Sequence, residues 1–168
     1  MTADELRALQ APFKERYRTD PAAAFATLSA RGILDVETLV CRVEAGHAPP
    51  IPAGLHPMAG GDDSVACAGN MLLEALVGCA GVTLSAVSTA MGIGISGGEL
   101  VAEGDMDFRG TLGVSRETPV GFTAIRVRAV VDAAADDAQL AKLAQLTERY
   151  CVVAQSLKGP LNVTITRR

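Results

Sequence analysis

The sequence predicts an α+β fold in which a mainly antiparallel sheet packs on a long buried central helix and a second, amphipathic helix. Three observations predict it. Residues 70–91 form the most apolar stretch of the chain, with Glu74 as the one charge. Residues 99–109, 122–132 and 161–166 alternate apolar and polar side chains with the period of half-buried strands. The patterns follow one another as helix, strand, long helix, two strands, helix, strand, which is not a repeated βαβ order.

In chain order, residues 3–18 set Leu6, Leu9, Ala11, Phe13 and Tyr17 among charged residues. This reads as an amphipathic helix, interrupted or begun again at Pro12 and closed at Asp20-Pro21, with residues 22–28 continuing as a short helix. Residues 1–30 are accordingly expected to be an N-terminal helical arm, with the main domain at 31–168. In residues 37–45, Leu39, Cys41, Val43 and Ala45 point one way, which makes a strand and places Cys41 in the core. Residues 46–61 hold four of the eight prolines and four glycines, the composition of a connector. The apolar run follows as the central helix, and Gly92 is placed to end it in the left-handed conformation.

Leu100, Ala102, Met106 and Phe108 oppose Glu99, Glu103, Asp105, Asp107 and Arg109 in the next strand. Ile125, Val127, Ala129 and Val131 oppose Arg126 and Arg128 in the one after it, across a turn-rich connection. Asp136 or Asp137 is expected to cap the second helix. Its stripe is Leu140, Leu143, Ala144, Thr147, Cys151 and Ala154. Residues 161–166 close the chain as a last strand.

At 168 residues and 17.3 kDa the chain is long enough for a core that needs neither disulfide nor metal. Its net charge of −4, 4% aromatic content and lack of Trp argue against nucleic-acid binding. The apolar run has the length of a membrane span, but its Ser, Thr, Gly and Ala content and its lack of aromatic or Lys/Arg anchors favour a buried helix. The N-terminus carries charge throughout and shows no signal-peptide pattern, so a cytoplasmic location is expected. Cys41, Cys67, Cys79 and Cys151 are widely spaced, without the paired ligands of a zinc site; His47 and His56 sit in the connector and do not complete one. Gly92, Gly94 and Gly97 match the dinucleotide-binding glycine pattern but with a helix before and a strand after, the inverse of what that motif needs.

Cys79 and Cys151 each lie on a long helix expected to pack on the same sheet. The helical neighbours of Cys79 are Ala75, Leu76, Val82 and Thr83, none of them charged, and Glu74 faces elsewhere. On these residues alone Cys79 is a buried, inert thiol with a raised pKa. A reactive role needs a cation from another segment and a second thiol close enough to trap a sulfenic acid.

The segments MLLEALVGCAGVTLSAV, EGDMDFRGTLGV, PVGFTAIRV and LTERYCVVAQSL resemble the OsmC-like proteins, which include the organic hydroperoxide resistance proteins, from about residue 35 to 168. The most specific elements are a Cys in the central apolar helix and a second Cys in an ERYC segment, 72 residues later. The resemblance implies an interlocked homodimer that shares strands and central helices across its two-fold axis. It also implies a thiol peroxidase without a cofactor or metal. In that reading Cys79 attacks an organic hydroperoxide, Cys151 resolves the sulfenic acid as a disulfide, and a dithiol reductant reopens it; Cys67 is a second candidate for the resolving thiol. The chain departs from the family at three points. The carboxylate position about ten residues before the first Cys is Gly69, with Asp62 and Asp63 the nearest acids upstream. The family's activating arginine has Arg16, Arg18 and Arg31 as candidates. Val152 stands where many relatives have Pro after the second Cys. These departures keep a second reading open, a non-catalytic OsmC-fold protein that binds an apolar small molecule.

Overall fold

The N-terminal helix is continuous. In the computed structural model, which describes residues 3–35, 40–43, 53–63, 66–157 and 161–167, α1 (Ala3–Thr19) runs through Pro12 rather than breaking there. A proline inside a helix removes one backbone hydrogen bond. Here the next turns are held from outside: Tyr17 is 1% exposed and its hydroxyl donates to the Met58 carbonyl at 2.6 Å. Residues 22–28 are not a helix. A short 3-10 turn, Pro21–Ala24, is capped by the Asp20 carboxylate and leads straight into β1 (Phe25–Asp35), so the expected arm boundary at residue 30 falls inside a strand. Strand β2 (Val40–Val43) carries Cys41, whose side chain lies outside the described residues, as does His47.

The connector contributes β3 (Ala53–Gly54), the 3-10 turn Pro57–Ala59 and β4 (Ala66–Cys67), which pairs parallel with β3. The central helix α2 (Ala68–Ala90) then crosses the sheet. Gly92 follows it at φ +67°, the left-handed geometry that glycine adopts without strain. Next come β5 (Ile95–Asp107), the single turn α3 (Phe108–Thr111) and β6 (Phe122–Ala133). Asp136 is the cap of α4 (Asp137–Tyr150), in a reciprocal capping box with Gln139. The second helix does not run on to Ala154 as expected: it ends at Tyr150, and α5 (Val152–Ser156) starts beyond Cys151. Strand β7 (Leu161–Arg167) completes the fold.

The main sheet has the order β2-β1-β5-β6-β7. The first three pairs are antiparallel and β6–β7 is parallel, so the sheet is mixed. The parallel pair follows from connectivity: α4 and α5 form a crossover between β6 and β7, which a parallel pair requires. Register sets Leu100 beside Ala129 and Ala102 beside Val127 under the helices. Leu73, Leu76, Val77 and Leu84 of α2 are fully buried in this core with Leu143 of α4. Each such side chain contributes about 1.5–3 kcal/mol by leaving water. By length and composition α2 is apolar enough to cross a bilayer, but one face of it packs on β1, β2 and β5 and against α4 and α5. A smaller cluster, Tyr17, Ala24, Ala59, Phe108 and Leu112, joins α1 to α3.

Candidate functional site at the break between α4 and α5

Cys151 belongs to two helices. Its N–H closes α4 on the Thr147 carbonyl at 3.0 Å, its backbone is extended (φ −73°, ψ 109°), and its sulfur caps α5 by accepting from the Ala154 N–H at 3.4 Å. The first N–H groups of any helix have no partner within that helix. In α5 those of Val152 and Val153 face the sulfur of Cys79, across from α2. A bend in the backbone therefore delivers amide donors to a thiol 72 residues earlier in sequence.

The two thiols touch each other and are pushed in opposite directions. Burial raises the pKa of Cys79, but the Val153 amide, the Cys151 thiol, the Val152 amide and the Thr83 hydroxyl all favour its charged form, and it ends below the ordinary thiol value. Cys151 is fully buried; burial, together with the neighbouring Cys79, drives its pKa up to about 11, against the pull of the Ala154 amide. Cys79 is partly exposed and Cys151 lies beneath it, so solvent reaches the acidic thiol first. Neither is in a disulfide. The inert, raised-pKa reading of Cys79 is thus corrected: its neighbours on α2 are uncharged, but donors arrive from α5. Val152 does not prevent the helix break that relatives mark with Pro.

Toward the N-terminal end of α2 lies a mainly apolar cleft of about 370 Å³, walled by Gly69, Leu72, Met106, Phe122, Ile125 and Leu157. Leu72 precedes Cys79 by two helical turns on the same side of α2, and Leu157 follows the end of α5, so the cleft and the thiol pair lie along the same two elements. A larger groove of about 800 Å³ between α4 and β7, lined by Leu140, Ala144, Glu148, Val163 and Arg167 among others, contains no cysteine.

Other sequence candidates lie apart from this site. Cys67 sits immediately before α2, and 12 residues of helix at 1.5 Å each put it about 18 Å along the axis from Cys79, too far for a resolving thiol. Arg16 and Arg18 are exposed on α1, which packs on the 3-10 turns and α3; Arg18 pairs with Glu15 at 3.2 Å, and neither is among the groups acting on Cys79. The side chain of Arg31, on β1, lies outside the described residues. Asp63 acts on His56. Gly69, at the family's carboxylate position, is part of the cleft wall. His56 is half-buried against Phe108, not a free loop histidine. Sequence reasoning missed the Val152 and Val153 amides and the role of Thr83. Only Thr83 had a signal, its i+4 spacing from Cys79.

Comparison with known proteins agrees with this architecture. No curated protein matches. An OsmC-like protein from Mycoplasma pneumoniae superposes with a TM-score of 0.59 at 13% identity, covering 85% of this chain and 96% of its own. An OsmC-like protein of unknown function from Vibrio cholerae gives 0.58 at 15% identity, covering 84% and 98%. At such identities the likeness is one of fold. The family model described as OsmC-like protein matches residues 61–166, a span that contains both thiols, the α4–α5 break and the cleft, and the chain belongs to the OsmC-like family.

Proposed function

We propose that this chain is a two-cysteine thiol peroxidase that reduces organic hydroperoxides in oxidative-stress defence. The observation that carries the reading is the contact between an accessible thiol of lowered pKa, Cys79, and a buried thiol of raised pKa, Cys151. The Cys79 thiolate attacks the outer oxygen of R–O–O–H. The O–O bond breaks, the sulfur is oxidised to Cys79–S–OH, and the alkoxide takes a proton to leave as R–OH. The Cys151 sulfur then displaces the sulfenic oxygen as water and forms the Cys79–Cys151 disulfide. That bond protects the sulfur from further oxidation. An external dithiol, as expected in a reducing cytoplasm, exchanges with the disulfide and returns both thiols. The apolar cleft two helical turns from Cys79 along α2 suits the organic portion of the substrate.

The reading includes a homodimer. On α2 the side turned away from the sheet presents Ala68, Leu72, Ala75, Cys79, Val82 and Ala86, alternately four and three residues apart and without a charge, with Leu72 39% and Val82 41% exposed in the single chain. This is the spacing of a helix-pairing seam, and a second copy of α2 is its natural cover.

The test is rapid mixing of reduced protein with cumene hydroperoxide. Wild type is expected to form the intramolecular disulfide. Cys151→Ser is expected to oxidise once and accumulate the sulfenic acid, and Cys79→Ser to react no faster than free thiol. Equal, slow consumption by wild type and Cys79→Ser overturns the peroxidase. The cleft favours a second reading, an OsmC-fold protein that holds an apolar molecule without turnover. A Cys79 pKa above the free-thiol value of about 8.5 would select it.

A further inference from the structure

We propose that His56 is a proton-operated latch on the N-terminal helix: its unprotonated Nδ1 holds the turn onto which α1 docks, and taking up a proton there releases both. The inference goes beyond the peroxidase reading and does not depend on it.

Met58 is the joint. Its N–H donates to Nδ1 of His56 at 3.1 Å, and its carbonyl accepts the Tyr17 hydroxyl of α1 at 2.6 Å. One end of this residue is tied to an imidazole and the other to the helix. His56 is the N-cap of the 3-10 turn Pro57–Ala59, so its ring nitrogen satisfies an amide that the turn itself leaves over. The turn closes tightly. The Ala59 and Gly61 N–H groups both donate to the His56 carbonyl, at 2.8 and 3.1 Å, and a Cβ on Gly61 would collide with the Leu55 carbonyl.

An imidazole nitrogen accepts a hydrogen bond only while it carries no proton. Protonation sets a ring N–H against the Met58 N–H, and turning the ring over offers a carbon instead, so no rotamer of the charged ring restores the bond. The ring is also confined: it stacks on Phe108 with centroids 4.7 Å apart, in the cluster that buries Tyr17 and Ala59. The surrounding charges do not replace the lost cap. On the connector Asp62 and Asp63 are exposed, and Asp63 is the one that acts on the ring. On α3 Arg109 pairs with Asp107 at 2.6 Å. On α1 Lys14 and exposed Arg16 lie near Tyr17 in sequence, and Glu15 pairs with Arg18 at 3.2 Å. Met106 packs against this cluster as well as the main core and walls the cleft, so release of α1 takes packing from one cleft wall.

The test is hydrogen exchange of the full chain, read by mass spectrometry on α1 and α4 peptides and corrected for intrinsic rates. The α1 amides are expected to open ahead of those of α4. The opened form takes up a proton that the docked form refuses, so each pH unit below about 6.5 favours opening by up to tenfold. Between about pH 7.5 and about pH 5, wild-type α1 should therefore lose protection roughly ten- to thirtyfold. His56→Asn keeps an acceptor at the cap but takes no proton, and should hold α1 protection constant over the same range. Wild-type α1 protection that ignores pH overturns the latch. An equal loss in His56→Asn overturns it too, because the proton then belongs to another group. So does a single common protection for α1 and α4, since the helix would then not open by itself.

Discussion

At the scale of single residues, the environment of a titratable group decides what it does. Cys79 and Cys151 are chemically identical and adjacent, yet one gains donors for its anion and the other is buried against it. His56 shows the same rule away from the thiols. Its ring stacks on Phe108 with centroids 4.7 Å apart, and its Nδ1 accepts the Met58 N–H at 3.1 Å. Burial holds the imidazole below its usual range, against the pull of the Asp63 carboxylate. Because the folded pKa is depressed, the unfolded chain takes up the proton first as pH falls. The associated stability is therefore present above about pH 6.5 and lost as pH drops through the folded value. In thermal unfolding the melting temperature of wild type should fall more between neutral and mildly acidic buffer than that of His56→Gln. Identical slopes would show that this ring carries no linked proton.

Among elements, the α4–α5 break has the clearest consequence. Cys151 already has the extended backbone that precedes proline, and Val152 occupies the first helical position, where proline fits. Val152→Pro should leave the fold intact or stabilise it by about 0.4–1 kcal/mol through the unfolded state. It also deletes the Val152 N–H, so the Cys79 pKa should rise. Calorimetry and alkylation of the Cys79 peptide read the two effects separately; a Cys79 pKa that stays put would mean that this amide adds nothing. The β5–β6 pair sets the cleft wall. A Cβ on Gly104 would come within 2.6 Å of the Phe122 ring, so the ring lies where it does because residue 104 has no side chain. Gly104→Ala should cost about 1–3 kcal/mol in overpacking and swing Phe122 toward the cleft. The expected kinetic signature is a higher KM for cumene hydroperoxide with the reaction of hydrogen peroxide unchanged, because the smaller oxidant needs no cleft.

For the whole molecule, the central helix has two faces with different tasks. Leu73, Leu76, Val77 and Leu84 are sealed against the sheet, whereas Leu72 and Val82 are exposed on the uncharged stripe that carries Cys79. Val82→Glu should leave the single chain folded, since surface substitutions usually change stability by within about 0.5 kcal/mol. It should convert a dimer into a monomer in sedimentation velocity. A wild-type monomer, or a dimer indifferent to the charge, would remove the second copy from the site. The apolar run at residues 70–91 made α2 legible, and strict alternation did the same for β5, β6 and β7. The failures are equally specific. Pro12 suggested a break that the docking of Tyr17 overrides, and residues 22–28 read as helical although β1 begins at Phe25. The stripe from Leu140 to Ala154 gave no sign of the turn at Cys151, because one bent residue barely disturbs a helical period.

Composition and periodicity by themselves determined the class of fold, the central helix, the capping of α4 by one of Asp136 and Asp137, and the pair of cysteines worth watching. These follow from local preferences and from burial of apolar faces, which neighbouring residues express in sequence. The parallel β6–β7 pair, the meeting of Cys79 with Cys151 and the opposite shifts of their thiols were decided only by tertiary structure. Hydrogen-bond donors act over a few ångströms of space, and the backbone amides of Val152 and Val153 that tip Cys79 toward its anion carry no residue-type signature in sequence.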